Sequence, residues 1–308
     1  MKAKEIQFIG ANGVMLHGMI WYPTCSPTMV VQVIHGMTEH IGRYEQVANV
    51  LTASGIAVAG FDLRGHGHNP GDSQCASFGE GGWKYSLHDV HLFFMELESR
   101  FPNIPHFMLG FSLGSFLLRD YLSLYYDKVD GAIIAGTGHQ PGVVLNMLLP
   151  VVKREIKAHG FDNSTQKINE MSFENYNKKF APNTTSVDWL CADTAQRLKY
   201  CGDPLCRKSI SAGLFWQLLD SMKRTGKVSA YRRWNKQMPV LLLSGQNDPV
   251  GDNGKGVQRV KQSMSKAGMR YVQMHLVPDA RHDLFHEEAN GAAGEAIDVL
   301  KNWLFENV

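Results

Sequence analysis

Ser112 lies between two glycines in the stretch LGFSLGS, residues 109–115, and a serine in such a setting can act as a nucleophile. The apolar run HFMLGF precedes it and the helical pattern LGSFLLRDYL follows it. This order predicts a sharp turn from strand to helix, which exposes the hydroxyl above the free N–H groups of the helix start. Gly110 and Gly114 fit this interpretation, because a Cβ at either position would clash with the neighbouring strand or helix.

A serine nucleophile needs a histidine to accept its proton, and two histidines follow the last apolar run of the chain. His282 comes directly after this run and His286 one turn later, so His282 is the predicted base and His286 the alternative. A carboxylate must orient the base. Asp248 follows the apolar run LLLSG in a loop with proline and glycine, and Asp252 is the alternative. The predicted triad is therefore Ser112, Asp248 and His282.

Two backbone N–H groups are expected to bind the negative oxygen that forms when an ester carbonyl is attacked. Leu113 follows the nucleophile and supplies one of them. Met37 supplies the other, because it lies in IHGMTEH at the end of the first parallel strand, where His35 and Gly36 turn the chain. These amides form the predicted oxyanion hole.

Six apolar runs alternate with helical patterns, which predicts a parallel sheet covered on both faces. The runs are residues 29–36, 55–62, 106–112, 131–136, 239–245 and 272–278. A hairpin over residues 5–23 precedes them. This order of elements predicts a doubly wound α/β fold. Residues 140–236 are interpreted as a helical cap inserted between strands 6 and 7, and residues 1–139 and 237–308 as the core domain.

The first cap segment, residues 141–158, carries a dense apolar cluster followed by basic residues. It is predicted to cover the nucleophile, with Leu145, Leu148 and Leu149 as substrate contacts, since flexible apolar side chains tolerate varied acyl chains. Its basic residues, together with this cluster, suit a transient contact of the cap with an anionic membrane surface. A helix packed inward, with a solvated basic end, is the alternative interpretation.

The composition excludes several classes of protein. The 308 residues include 31 basic and 29 acidic ones, well mixed, so a nucleic-acid partner is not expected. The N-terminus lacks the apolar stretch of a signal peptide, and the longest apolar patch, residues 143–152, is too short to cross a bilayer. Five widely spaced cysteines, without histidines at zinc-ligand spacing, predict free thiols, no metal and a cytoplasmic location. The sequence does not indicate the oligomeric state.

HGMTEHIGRY, residues 35–44, resembles the H-G-x-x-E-H-x-G-R-Y stretch of the monoacylglycerol lipase and lysophospholipase branch of α/β-hydrolases. DLRGHG, GFSLGS, GQNDPVG and the loop of His282 are similar to that branch at matching places. The resemblance implies an α/β-hydrolase fold, with a mostly parallel eight-stranded sheet flanked by helices. It also implies hydrolysis of a small acyl ester or lipid without a cofactor. The chain departs from the pattern at Phe111, where a histidine is common, and at Ser115, where a second glycine is common.

The expected function is therefore that of a serine hydrolase that cleaves carboxylic esters of monoacylglycerol or lysophospholipid type through an acyl-enzyme intermediate. An aminopeptidase or amidase of the same fold is one alternative. It would need an acidic patch for the substrate's α-amino group, for which Glu170, Glu174 and Asp188 are available but scattered. A non-hydrolytic binding protein that keeps the fold is another, although such a protein would usually have lost a triad member.

Overall fold

One eight-stranded sheet organises the molecule, which is a computed structural model that describes residues 2–69 and 75–308. Its strands are β1 Lys2–Ile9, β2 Met15–Tyr22, β3 Met29–Ile34, β4 Ile56–Phe61, β5 His106–Phe111, β6 Gly131–Ala135, β7 Val240–Gly245 and β8 Val272–Val277. The strand order is β1-β2-β4-β3-β5-β6-β7-β8, with β2 antiparallel to both neighbours and all other pairs parallel. The predicted mostly parallel sheet and its N-terminal hairpin are confirmed.

Helices cover both faces of the sheet, as strands that are apolar on both faces require. The helices of eight or more residues are α1 Glu45–Ala53, α2 Gly82–Arg100, α3 Leu113–Leu124, α4 Gly142–His159, α7 Thr194–Gly202, α8 Ala212–Thr225, α9 Lys255–Lys266 and α10 Ala292–Glu306. Two short ones are α5 Gln166–Asn169 and α6 Asn175–Asn177. Every residue of strands β3 to β7 is buried. Helices α1 and α10 pack into one apolar core, and α2, α3 and α9 into the other.

The chain between β6 and β7 contributes helices α4 to α8 and, among the described residues, no strand of the sheet. This agrees with the predicted helical insertion. Helices α4 and α8 pack against each other and extend the core that lies on the α3 side of the sheet. In the part of the chain that the structure describes, no helix is both long and apolar enough to cross a membrane.

Arg119, on α3, joins both ends of the insertion to the sheet. Its side chain is 1% exposed and donates to Thr137 Oγ1 and Gly138 O, each at 3.1 Å, where the insertion begins. It also donates to Thr225 O at 2.8 Å and Tyr231 Oη at 2.7 Å, where the insertion ends. Among the described residues, no carboxylate forms an ion pair with this guanidinium. All the oxygens that accept its hydrogen bonds are uncharged, and these bonds offset the cost of burying its charge. The insertion is therefore firmly positioned over the helix that begins after Ser112.

Candidate active site

Ser112 occupies a strained turn between β5 and α3. Its backbone has φ 51° and ψ −117°, a conformation that costs a non-glycine residue free energy and is typical of functional sites. A Cβ on Gly110 would lie 2.5 Å from Gly114 O, and one on Gly114 would lie 2.0 Å from Ile34 O. The prediction that both flanking positions must be glycine is confirmed.

The three residues of the predicted triad meet at one edge of the sheet. Asp248 and His282 lie in the loops after β7 and β8, and the carboxyl ends of neighbouring parallel strands share an edge. The Ser112 hydroxyl lies 2.8 Å from His282 Nε2, and His282 Nδ1 lies 2.9 Å from Asp248 Oδ1. His282 is 1% exposed and Asp248 fully buried. The geometry permits a proton to pass from the hydroxyl to the imidazole.

Asp248 determines which nitrogen of His282 can act as a base. As a carboxylate it only accepts, so Nδ1 carries the hydrogen and Nε2 presents its lone pair to Ser112. Burial alone would lower the pKa of His282, but the charge of Asp248 and its hydrogen bond outweigh burial and raise that pKa above its usual value. The protonated imidazole is therefore stabilised where proton transfer would form it.

Aromatic rings hold the imidazole of His282. The ring of Phe111 lies 5.0 Å from it between centroids, and that of Trp189 lies at 5.0 Å in a stacked arrangement. Phe111 immediately precedes Ser112 and is one of the two departures from the family pattern, whereas Trp189 belongs to the insertion. The insertion thus contributes directly to the surroundings of the base.

The alternative residues lie elsewhere. Both ring nitrogens of His286 have partners, because Nδ1 lies 2.7 Å from Asp283 Oδ1 and Nε2 lies 2.8 Å from Arg43 O. Asp283 also pairs with the Arg43 guanidinium at 2.5 Å, so His286 belongs to a buried ionic network. Asp252 lies at the surface, 3.4 Å from Arg259. The structure brings His282 and Asp248 to Ser112, and not His286 or Asp252.

The amides of Leu113 and Met37 are both available to a ligand. Leu113 begins α3, and Met37 follows a turn in which Gly36 N donates to Glu39 Oε1 at 2.5 Å. Among the described residues, neither the Met37 nor the Leu113 N–H donates to another protein group. The turn is also fixed by His35, whose Nε2 accepts from Leu63 N at 2.8 Å. The sequence-predicted oxyanion donors thus lie in rigid turns.

A cavity of about 360 Å³ opens above Ser112, which is within the range of small-molecule sites. The core contributes Met37, Thr38, Glu39, Arg43, Phe111, Ser112, His282 and Asp283, and the insertion contributes Asn169, Phe173, Glu174, Ser186, Val187, Trp189, Leu190, Tyr200, Cys201, Cys206, Arg207 and Lys208. Apolar rings and aliphatic side chains lie beside a polar group of hydroxyls and charges. The cavity can accept a molecule with one apolar and one polar end.

The structure differs from the expectation for Leu145, Leu148 and Leu149 on α4, which are absent from the described residues that line this cavity. Leu145 is 1% exposed within the core that α4 shares with α8, and the other two are half-buried against the same core. The side of α4 that carries these three leucines packs inward, against the core it shares with α8, whereas Val143 and Met147 of the same helix remain exposed. Residues 169–208 line the cavity instead, so a substrate contact by the three leucines is not supported by this structure.

Sequence reasoning missed the cavity wall that the insertion contributes, because its residues lie in short irregular turns without a periodic pattern. It also missed a second cluster at the cavity's edge. His40 lies far along the chain from Asp203 and Cys206, yet the side-chain ligand atoms of all three lie within 4.8 Å of one another. The acids considered for an α-amino group are not brought together. Glu174 alone of the three lines the cavity, and Asp188 is buried and bonded to Thr184, Thr185 and Arg197.

Comparison with known proteins places these features in a family. A family model described as serine aminopeptidase, S33 (Hydrolase_4), matches residues 26–289. The monoacylglycerol lipase of Mycolicibacterium smegmatis is 30% identical over 99% of this chain and 98% of its own length. The monoglyceride lipase of Homo sapiens is 27% identical over 91% of this chain and 87% of its own length.

A thermostable carboxyl esterase from Bacillus coagulans has the same fold. Its crystal structure matches with a TM-score of 0.87 at 22% identity, covering 100% of this chain and 99% of the esterase. The family model spans most of the chain, and a relative aligns along nearly all of it. The chain therefore belongs to the Hydrolase_4 family of α/β-hydrolases.

Proposed function

We propose that the chain hydrolyses carboxylic esters of the monoacylglycerol type, with Ser112 as nucleophile, His282 as general base and acid, and Asp248 as the group that orients the base. The observation that carries this proposal is the continuous contact from Asp248 through His282 to Ser112, at 2.9 and 2.8 Å, beside a cavity lined by both apolar and polar side chains. The names of the relatives, monoacylglycerol and monoglyceride lipases, support this substrate class.

The reaction proceeds in two steps. Ser112 Oγ attacks the ester carbonyl carbon while its proton moves to His282 Nε2, and the N–H groups of Met37 and Leu113 bind the oxyanion. The intermediate collapses when His282 returns the proton to the leaving alcohol, which leaves the acyl group on Ser112. Water then attacks the acyl carbon, gives a proton to His282, and the carboxylic acid leaves as Ser112 regains its hydrogen.

The division into a core of residues 1–139 and 237–308 and a cap of residues 140–236 belongs to this proposal. The cap carries Trp189 and most of the lining of the cavity, which supports a role in substrate selection. An aminopeptidase would need a negative site for the substrate's ammonium group. Glu174 is the single one of the three suggested acids that lines the cavity, and Arg207 and Lys208 line it as well. Two further acids of the lining, Glu39 and Asp283, lie 3.5 and 2.5 Å from the guanidinium of Arg43, which offsets their charge. The ester reaction is therefore favoured over aminopeptidase activity.

Two further features support a cytoplasmic location and a transient contact with membranes. Cys25, Cys191, Cys201 and Cys206 carry free thiols, which fits the reducing cytoplasm. Val143 and Met147, on α4, expose 72% and 70% of their surface near the basic residues of the same helix, which fits a transient contact with an anionic lipid surface. Sedimentation with anionic vesicles tests this contact, and the variant Val143→Asp with Met147→Asp is expected to remain in the supernatant.

The proposed function is tested by a substrate panel that contains p-nitrophenyl esters of graded chain length, a monoacylglycerol, a lysophospholipid and an aminoacyl p-nitroanilide. We expect turnover of the esters, with the monoacylglycerol preferred over the lysophospholipid, and no release from the anilide. The matched control is Ser112→Ala, which removes one oxygen at a half-buried site, keeps the fold and loses on the order of 10³–10⁶ in kcat. Hydrolysis of the anilide in preference to the esters would contradict the proposal.

A further inference from the structure

A second group of chemically active side chains lies outside the cavity above Ser112. His17 is on β2, Asp62 directly follows β4, and His68 lies in the loop after it. The antiparallel register pairs Gly18 with Phe61 and thereby brings the neighbouring residues His17 and Asp62 together. One potential ligand atom from each of the three lies within 4.8 Å of the other two.

The separations of these atoms suit one metal ion. Asp62 Oδ2 lies 3.5 Å from His17 Nδ1 and 3.0 Å from His68 Nδ1. Zinc binds imidazole nitrogen and carboxylate oxygen at about 2.0–2.1 Å in a tetrahedron, which separates two ligand atoms by about 3.3 Å. The two measured separations lie on either side of that value, so small side-chain rotations suffice to bind an ion.

His17 is prepared to act as a ligand. Its Nδ1 is buried and, among the described residues, has no hydrogen-bond partner. Its other nitrogen, Nε2, lies 3.9 Å from Glu5 Oε2. A carboxylate beside the second nitrogen of a ligating histidine favours the hydrogen on that nitrogen and leaves the first one free to bind metal. Nδ1 faces Asp62, whose carboxylate raises the pKa of His17, so an ion that binds this nitrogen displaces a proton from the imidazole.

We propose that His17 Nδ1, Asp62 Oδ2 and His68 Nδ1 bind a divalent transition-metal ion, with Zn²⁺ as the representative, and that water completes the tetrahedron. Two imidazoles and one carboxylate form a donor set that suits zinc, and the side chain of His68 is 48% exposed, which provides an entry path. The ion is placed here by these residues and has no part in the ester reaction.

The cluster of His40, Asp203 and Cys206 is the less suitable of the two. Burial raises the pKa of the Cys206 thiol to about 12, so metal binding there must first remove a tightly held proton. The guanidinium of Arg43, which influences the same thiol, also repels a cation. The proposed metal site therefore consists of His17, Asp62 and His68, and a variant of Cys206 serves as the control.

An ion at this site would brace the turn beside the candidate active site. Asp62 Oδ1 accepts from Ile41 N at 2.7 Å, and Ile41 lies in the same loop as Met37. A ligand that binds the folded state and not the unfolded one raises the free energy of unfolding by RT ln(1 + c/Kd), where c is the free ligand concentration, so the effect grows with concentration and affinity. Zinc is therefore expected to raise the melting temperature in a concentration-dependent manner.

The test uses the full chain without a histidine tag, freed of metal with a chelator and titrated with ZnCl₂ by calorimetry and thermal melting. We expect one tight site in the parent protein. His68→Gln and His17→Gln should each weaken zinc binding by about 100-fold or more, since even a residue that only supports a metal ligand changes metal affinity about 10–100-fold. Both variants should keep the circular dichroism spectrum of the parent, because His68 is half-exposed and glutamine keeps a polar side chain of similar length at the largely buried position of His17.

Cys206→Ser is the matched control and should bind zinc as the parent does. Co²⁺ supplies a second measurement, because a cobalt–thiolate bond gives an intense charge-transfer band that this site should lack. The proposal is overturned by a parent protein that binds no zinc, by variants of both histidines that bind it unchanged, or by loss of binding in Cys206→Ser.

Discussion

Replacing Asp248 by asparagine keeps the shape of the side chain and removes its charge. Asp248 Oδ1 accepts from Val250 N at 2.8 Å and from His282 Nδ1 at 2.9 Å, and Oδ2 accepts from Ser244 Oγ at 3.3 Å. In the Asp248→Asn variant the amide oxygen must take the Oδ1 position, because an NH₂ group there would face the Val250 N–H. The tautomer of His282 is therefore retained, and the variant isolates the effect of the charge.

The expected loss in kcat follows from the distance between the carboxylate of Asp248 and the charge of the imidazolium. A carboxylate about 4 Å from the charge of the imidazolium contributes about 4 kcal/mol at an effective dielectric constant of about 20. Each 1.36 kcal/mol is a factor of ten in rate, so we expect kcat to fall by about 10³-fold. A variant that instead enforced the wrong tautomer would lose about 10⁴-fold.

The pH dependence of kcat/KM separates these explanations. Activity requires neutral His282, so it rises with pH through the pKa of that residue. In the parent, burial is the largest single influence and lowers this pKa, but the charge and hydrogen bond of Asp248, together with the charges of Asp283 and Glu39, outweigh it and raise the pKa above its usual value. Without the charge, burial dominates, and the acid limb should move to lower pH while the plateau falls.

Hydrolysis of a p-nitrophenyl ester over pH 5–9 measures both changes, with thermal melting as the check of folding. Asp252→Asn is the control, because this exposed acid pairs only with Arg259 among the described residues, and it should keep the parent's activity and acid limb. A loss below tenfold in Asp248→Asn, or an acid limb that stays in place or moves to higher pH, would refute the reasoning.

Three other predictions concern the same framework. His282→Ala should lose ester turnover as completely as Ser112→Ala, whereas the kcat of His286→Ala should stay within about tenfold of the parent. His286→Ala should also melt at a lower temperature; steady-state kinetics and thermal melting measure these effects. Gly114→Ala should lower the free energy of unfolding in denaturant by about 3 kcal/mol or more, because the added carbon meets a backbone oxygen at 2.0 Å. Gly294→Ala is the control, because open space surrounds this position in α10, and it should raise the free energy of unfolding by about 0.5–1 kcal/mol. Arg119→Met should lower the free energy of unfolding by about 3 kcal/mol or more, since it leaves the buried Thr137 Oγ1 and Gly138 O without this donor and removes the hydrogen bonds to Tyr231 Oη and Thr225 O at the other end of the insertion; a loss below about 1 kcal/mol would contradict its assigned role.

The sheet and the turn at Ser112 could be predicted because their signals are local. A strand buried on both faces must be apolar at every position, and such runs stand out among helical patterns. A Cβ on Gly110 would meet Gly114 O four residues away, whereas the clash at Gly114 is with Ile34 O on the neighbouring strand β3. His282 was preferred over His286 from loop position alone, and the structure explains the difference through the partners of His286, Asp283 and Arg43.

The insertion could be recognised but not its packing. The apolar face of α4 was interpreted as a substrate surface, whereas α8 covers it through Leu145. Which face of an amphipathic helix meets a ligand and which meets another helix depends on tertiary contacts that periodicity does not encode. Trp189 was missed for the same reason, since its stacking on His282 joins two residues that lie far apart in the chain.

The central claim is that Ser112 is a nucleophile activated by His282. The most direct measurement is labelling of the folded protein with a fluorophosphonate, followed by digestion and mass spectrometry of the modified peptide. The account predicts one adduct, on Ser112, that is absent in Ser112→Ala and strongly slowed in His282→Ala. An unlabelled folded parent protein, or an adduct on another residue that persists in Ser112→Ala, would contradict it.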